Sequence, residues 1–329
     1  MRILVTGAAG FIGSHLCDRL RAAGHFVCGI DDGSTGDIER LGGHDLVHDV
    51  RKPITSAVIG SNWPEGGPFD QIYHLACPAS PAHYQKDPKR TLETAFLGTR
   101  NVLDAAQEWG ARVVSTSSSE IHGEPLRHPQ DEGLWAHVNP VGNRGCYEIG
   151  KLAGESLACA YIGLGVDVRI ARIFNTYGPR LNPADGRVVS NFIVQTLRGQ
   201  SMTIYGDGTQ TRSLCYVDDM VSGLIALMGC EGKLSGPVNL GNPVEMTILD
   251  IANAVSLACA AEVGADVGLL TFHDLPVDDP TRRCPDITLA KTLLGWEPAV
   301  ALEEGLKRTV RAFMRDEMDR MQRAATVPA

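Results

Sequence analysis

The feature that most narrows what this chain can fold into lies at its very start. Arg2–Thr6 is a short apolar stretch, and Gly7-Ala8-Ala9-Gly10-Phe11-Ile12-Gly13 follows it directly, with glycines three residues apart. A helical pattern opens near Ser14. A strand that runs into a glycine-rich turn and then a helix lets backbone N–H groups approach a pyrophosphate at the helix's positive end. Composition alone yields about 0.4 such triplets in a chain of this make-up, so position gives this one its weight. Gly7, Gly10, Phe11, Ile12 and Gly13 are the expected nucleotide contacts. Asp31 closes the second predicted strand, 18 residues past Gly13. A carboxylate there accepts hydrogen bonds from an adenosine ribose and repels a 2′-phosphate. Asp32 follows, and no arginine adjoins either in the sequence, so the expected cofactor is NAD rather than NADP. Asp49, at the end of the third predicted strand, is a further candidate for the adenine side.

Predicted strands at Phe26–Ile30, Leu46–Val50, Gln71–Leu75, Ala111–Ser115 and Val168–Ile173 alternate with helical patterns such as Ser14–Ala23 and Pro88–Trp109. Such alternation needs right-handed crossovers and a parallel sheet covered on both faces, so the fold class is α/β with a doubly wound sheet. After about Asn175 turn-rich segments take over, among them Tyr177-Gly178-Pro179-Arg180 and Tyr205-Gly206-Asp207-Gly208. The expected division is a nucleotide-binding domain over 1–175, to which 213–243 returns. A smaller substrate domain takes 176–212 and 244–316, over the carboxyl edge of the sheet, and a tail takes 317–329.

Composition removes several classes of function. Thirty basic against 39 acidic residues leave a net charge of −9, which argues against nucleic acid or an anionic membrane as the main partner. No apolar run approaches the ~20 residues needed to cross a bilayer, and the chain starts in a strand with no cleavable leader. Nine scattered cysteines with no Cys-x-x-Cys pair suit a reducing cytoplasm. The ten histidines lack zinc-ligand spacings, so no metal is expected.

Tyr147 and Lys151 stand four residues apart, on one face of a predicted helix. An ammonium beside a phenol favours the phenolate and lowers its pKa toward working pH. The pair then serves as a general base that takes a hydroxyl proton while hydride leaves the carbon. Ser115-Thr116-Ser117-Ser118-Ser119-Glu120 ends a predicted strand, and a hydroxyl there can polarise the same alcohol. Glycine loop, hydroxyl-bearing strand end and Tyr-x-x-x-Lys, in that order, resemble the short-chain dehydrogenase/reductase superfamily.

Further stretches make the resemblance specific. They are Tyr73–Pro81 (YHLACPASP), Asn139–Tyr147 (NPVGNRGCY), Ala171–Arg180 (ARIFNTYGPR), Asp185–Phe192 (DGRVVSNF), Tyr205–Arg212 (YGDGTQTR) and Asp278–Asp286 (DDPTRRCPD). The chain is similar, from its start to about residue 315, to the UDP-glucuronate decarboxylase family of extended short-chain dehydrogenases/reductases. The resemblance implies a Rossmann fold, a homodimer bundled through Pro88–Trp109 and Cys146–Tyr161, and a redox-neutral lyase. C4 of the sugar is oxidised by NAD, the resulting ketone accepts the electrons as carbon dioxide leaves, and the returning hydride gives UDP-xylose. By resemblance Tyr147, Lys151, Ser118, Glu120 and Arg283 are catalytic. Leu75, Thr94 and Thr176 join the cofactor contacts. Ser119, Asn101, Tyr161, Asn175, Arg187, Arg212 and Arg283 fall on the substrate side.

Three positions depart from the family pattern. Glu93 stands where a lysine that contacts substrate is usual, Ala95 where an asparagine is usual, and His122 where a tyrosine is usual. They leave open another nucleotide-sugar enzyme on the same scaffold, a 4-epimerase or 4,6-dehydratase. A net dehydrogenase and a non-catalytic cofactor-binding protein are the remaining alternatives.

Overall fold

A computed structural model describes residues 1–60, 68–264 and 269–326, with side chains as far as 318. Strands β1 (Arg2–Thr6), β2 (Phe26–Asp31), β3 (Leu46–Val47), β4 (Gln71–His74), β5 (Arg112–Ser118), β6 (Val168–Ile173) and a seventh, Pro237–Leu240, form one parallel sheet. Its order is Pro237–Leu240, β6, β5, β4, β1, β2, β3. The period-two alternation of a strand decides which residue meets which core. Ile3, Val5, Tyr73 and Val114 face one apolar cluster, whereas Leu4, Ile72 and Val113 face the other. Both faces are therefore buried, as a parallel sheet requires.

The order turns back between β1 and β4. Loops leaving neighbouring carboxyl ends part at such a point and open a crevice. The seventh strand pairs with β6, which brings the chain beyond residue 213 back to the sheet.

Three elements differ from their sequence pattern for local reasons. The first helix begins at Phe11 rather than Ser14, because the Ser14 N–H already bonds the Gly10 carbonyl at 3.1 Å. β3 stops at Val47, since the Asp49 carboxylate takes the Arg51 N–H at 3.0 Å and the chain turns there. The pattern over Pro88–Trp109 is two helices, Pro88–Glu93 and Thr99–Trp109, joined by a π-helical turn over Thr94–Gly98.

The remaining residues build a cap on the same core. A three-stranded sheet joins Glu245–Thr247, Thr211–Ser213 and Arg282–Arg283. Phe192, Ile204, Ile251, Val255 and Phe313 of this region share one apolar cluster with Ile3 and Val5. The final helix, Leu302–Thr326, runs through most of the expected tail, and residues 327–329 lie outside the described residues. No helix among the described residues is long and apolar enough to cross a membrane.

Candidate active site

A cleft of about 860 Å³ lies over the carboxyl ends of the strands, between the sheet and the cap. Its floor at one end is the glycine turn. Gly7 has φ +73°, and a Cβ there would stand 2.9 Å from the Ala76 nitrogen. A Cβ on Gly13 would stand 2.0 Å from the Gly7 carbonyl oxygen. Gly10 starts the helix with no side-chain cap, which leaves the first-turn N–H groups for an anion. This cradle fits a dinucleotide pyrophosphate.

Asp31 is buried, accepting hydrogen bonds from the N–H groups of Ala9 (3.1 Å) and Gly33 (2.8 Å). Burial nevertheless pushes its carboxyl above the usual range. Asp32 differs. An arginine does adjoin it, in space rather than in sequence: Arg90, from the Pro88–Glu93 helix, donates to it at 2.7 Å. Burial works to raise the Asp32 carboxyl, but hydrogen bonds from Ser34 and the Arg90 guanidinium hold it below the usual range. Leu75, Thr94 and Thr176 also line the cleft. Asp49 does not: it faces Arg51 at 2.6 Å, because the turn after β3 directs its carboxylate sideways.

Beyond the cradle the cleft meets the end of β5. Ser118 is the last residue of that strand, and its hydroxyl accepts the Glu120 N–H at 3.2 Å, capping a short 3₁₀ turn over Ser119–His122. Tyr147 and Lys151 enter from the helix Gly145–Gly163. The Lys151 ammonium donates to the Thr116 carbonyl at 2.8 Å, tying that helix to β5. The Tyr147 ring lies flat on Tyr84, with centroids 5.1 Å apart and planes 5° apart. The lowered phenol pKa expected from the Tyr-x-x-x-Lys spacing is not found. Burial, then Cys77, pushes Tyr147 up, and the Ser118 hydrogen bond only partly opposes them. The lysine's ammonium is directed at the Thr116 carbonyl instead.

The far end is a lattice of charges. Glu120 receives Arg144, which also reaches Glu148 (3.4 Å) and Asp279 (3.3 Å). Arg283 lies 3.5 Å from Glu120 and is 1% exposed, so it stands behind that carboxylate and outside the cleft lining. Burial alone would raise the Glu120 carboxyl, but Arg283 and Arg144 bring it down to about 2. Arg212 donates to Asp279 at 2.8 Å, and Arg187 to Asp185 at 3.1 Å. Ser119, Asn175, Arg187 and Arg212 line the cleft.

Asn101 and Tyr161, expected on the substrate side, lie away from it. Asn101 is buried and donates to the Val50 carbonyl at 2.8 Å, a structural bond. Tyr161 is 14 residues beyond Tyr147 on one helix, about 21 Å along its axis, and its hydroxyl meets Asp104. All three departures are likewise outside the lining. Glu93 pairs with Arg51 at 3.0 Å and Lys89 at 3.7 Å. Ala95 is buried, and its methyl would stand only 2.8 Å from a Cβ on Gly150, so a small residue here lets two helices approach. His122 is fully buried, and burial pushes its imidazole down to about 3. Sequence reasoning missed Arg144, Asp279 and Tyr84. Arg144 abuts the start of the tyrosine helix, and both Arg144 and Asp279 lie in stretches that carry the family resemblance, Asn139–Tyr147 and Asp278–Asp286.

The family profile described as NAD dependent epimerase/dehydratase family matches residues 3–241. The chain belongs to that family. It is 50% identical to UDP-glucuronic acid decarboxylase 1 of Arabidopsis thaliana, over 95% of this chain and 70% of that protein. It is 48% identical to UDP-glucuronic acid decarboxylase 1 of Danio rerio, over 96% of this chain and 73% of that protein. Among solved structures it is similar to UDP-glucuronic acid 4-epimerase of Bacillus cereus in complex with UDP-glucuronic acid and NAD. The TM-score is 0.81 at 29% identity, over 96% of this chain and 99% of the other.

Proposed function

We propose that the protein decarboxylates UDP-glucuronate to UDP-xylose, with NAD kept through the cycle. The observation that carries this reading is similarity at about half of all positions, over nearly the whole chain, to UDP-glucuronic acid decarboxylases. The cleft supports it with a glycine cradle at one end and a carboxylate among arginines at the other.

When bound, NAD accepts hydride from C4 of the sugar and gives it back. Tyr147, whose phenol burial keeps protonated in the free protein, would serve as the base once the positive charge of the bound oxidised cofactor favours its phenolate. It would then take the C4 hydroxyl proton as the carbon is oxidised and return it when the alcohol is restored. Ser118 hydrogen-bonds the same oxygen and supports the developing ketone. Lys151 fixes the tyrosine helix against β5 through the Thr116 carbonyl and lines the cleft, where its positive charge would help hold the cofactor. The ketone lies β to the sugar's carboxylate, so the electrons released as carbon dioxide leaves pass into an enolate, which is then protonated at C5. Glu120 is held ionised throughout the neutral range by Arg283 and Arg144, so the sugar's carboxylate meets a charge-balanced group there, and its negative charge passes to the enolate oxygen as carbon dioxide departs. Arg283 acts on the reaction through Glu120.

A homodimer in the cytoplasm belongs to the same reading. Leu92 and Phe96 on the 88–109 helical stretch are 40% and 38% exposed, which supports pairing of two copies there. The alternative is 4-epimerisation, the activity named for the Bacillus cereus neighbour. Proton NMR of the protein with UDP-glucuronate and NAD, followed alongside absorbance at the NADH band, decides between them. UDP-xylose with little lasting NADH is expected. UDP-galacturonate would make it the epimerase, and unchanged substrate would remove UDP-glucuronate.

A further inference from the structure

Each of the five arginines found among the described residues lining the cleft already faces a carboxylate of the chain. Arg40 faces Asp37, Arg144 faces Glu120 and Asp279, Arg180 faces Asp18, Arg187 faces Asp185, and Arg212 faces Asp279. An incoming diphosphate therefore meets cations whose charge is already compensated, and must share or replace a partner.

Asp279 is the carboxylate best placed to give way. One oxygen accepts from Arg212 at 2.8 Å and the other from Arg144 at 3.3 Å. Arg212 sits on the cap strand Thr211–Ser213, while Arg144 directly precedes the tyrosine helix over the sheet. One carboxylate thus ties the two walls together across the cleft. Asp279 belongs to the connection between Leu270–His273 and Arg282–Arg283, and its side chain is 25% exposed. Its neighbour Asp278 has left-handed backbone (φ +61°). Asp185, in contrast, is 8% exposed and Glu120 17%. On the far side Thr281 anchors the connection to Glu124 at 2.9 Å.

We propose that Asp279 is an internal stand-in for the substrate's diphosphate. It holds Arg144 and Arg212 in position until a nucleoside diphosphate takes its place, and the 274–281 connection then shifts away from the arginines. The proposal rests on the nucleotide-sugar reading above. It adds that the chain competes with its own ligand: both guanidinium groups are preorganised, and two ion pairs must break on binding.

Calorimetric titration with UDP tests it on the wild-type protein, Asp279→Asn and Asp278→Asn. Both variants remove one negative charge from the same connection, but only Asp279 touches the arginines. Asp279→Asn is expected to bind UDP roughly fivefold tighter, with KM for the nucleotide sugar lowered and kcat not raised. Asp278→Asn should match the wild type. Equal tightening in both variants would reduce the effect to net charge and overturn the proposal, as would unchanged or weaker binding by Asp279→Asn. Hydrogen exchange on the wild-type protein gives a check that needs no variant. Amides of 277–281 should exchange faster once UDP is added, and no change overturns the displacement. Tighter UDP binding by Asp279→Asn, in a protein that releases no carbon dioxide from UDP-glucuronate, would retire the decarboxylase reading and leave the stand-in intact.

Discussion

The two ends of the cleft are built by opposite means. At the cradle end the backbone does the work: one run, Gly7 to Gly13, supplies the turn, the close approach and the helix start. At the sugar end side chains do it, with Glu120, Arg144, Arg187, Arg212, Asp279 and Arg283 converging from distant segments. A backbone site tolerates almost no added volume but needs no charge balance. A side-chain site tolerates volume but fails when one charge of a set is removed. The ends should therefore respond to different substitutions.

The largest effect is expected from Tyr147→Phe, which should lower turnover about a thousandfold while nucleotide affinity stays at the wild-type value in a fluorescence titration. Loss of nucleotide binding in that variant would break the separation. Gly13→Ala should do the reverse. Its methyl would meet the Gly7 carbonyl at 2.0 Å, and nucleotide affinity should fall about a hundredfold as the turn opens.

Glu120→Gln leaves buried Arg283 and its neighbour Arg144 undercompensated and should cost about 3 kcal/mol of stability in a denaturant titration. In the wild-type protein the Glu120 carboxyl is lowered on folding from 4.5 to about 2. Its contribution is thus complete above pH 4.5 and lost as pH falls through 2. Histidines act over a different window. His122 and His74 drop on folding from 6.5 to about 3, so the unfolded chain binds the extra protons. Each should erode stability by up to about 1.4 kcal/mol per pH unit as pH falls below 6.5. His122→Phe should flatten that slope by one proton, and an unchanged slope would mean the ring is charged in the fold.

The smallest effect is expected from Glu93→Lys. Residue 93 faces Arg51 and Lys89 outside the cleft lining, so KM for UDP-glucuronate should stay within about twofold while the exposed pair contributes little. A lowered KM would bring residue 93 into reach of the sugar.

The same contrast explains what could be read from the sequence. The glycine turn, Asp31 and the tyrosine–lysine pair are legible because neighbours in sequence fix their geometry, and the parallel sheet follows from strand–helix alternation. Beyond these, sequence separation hides the partners. Nothing near Asp32 announces Arg90, 58 residues away, and nothing near Arg212 announces Asp279. Asn101 and Tyr161 mislead for the same reason, since a helix carries a residue out of a site as readily as into it. The Tyr147 pKa needs the fold as well, because desolvation depends on what covers the ring.

The stacked ring of Tyr84 bears on stereochemistry. With its plane 5° from that of Tyr147, it walls one face of that ring and opposes tilting of the whole side chain toward it. A phenol oxygen lies on the ring's axis, so tilting is the motion that would move it, and a base held against tilting would give and take a proton at one point. A reaction that ends with C4 inverted requires the sugar to turn over within the cleft, whereas one that ends with C4 as it began requires no such turn. Were Tyr147 the base proposed above, its fixed ring beside a sugar held by its diphosphate would be a frame for retention.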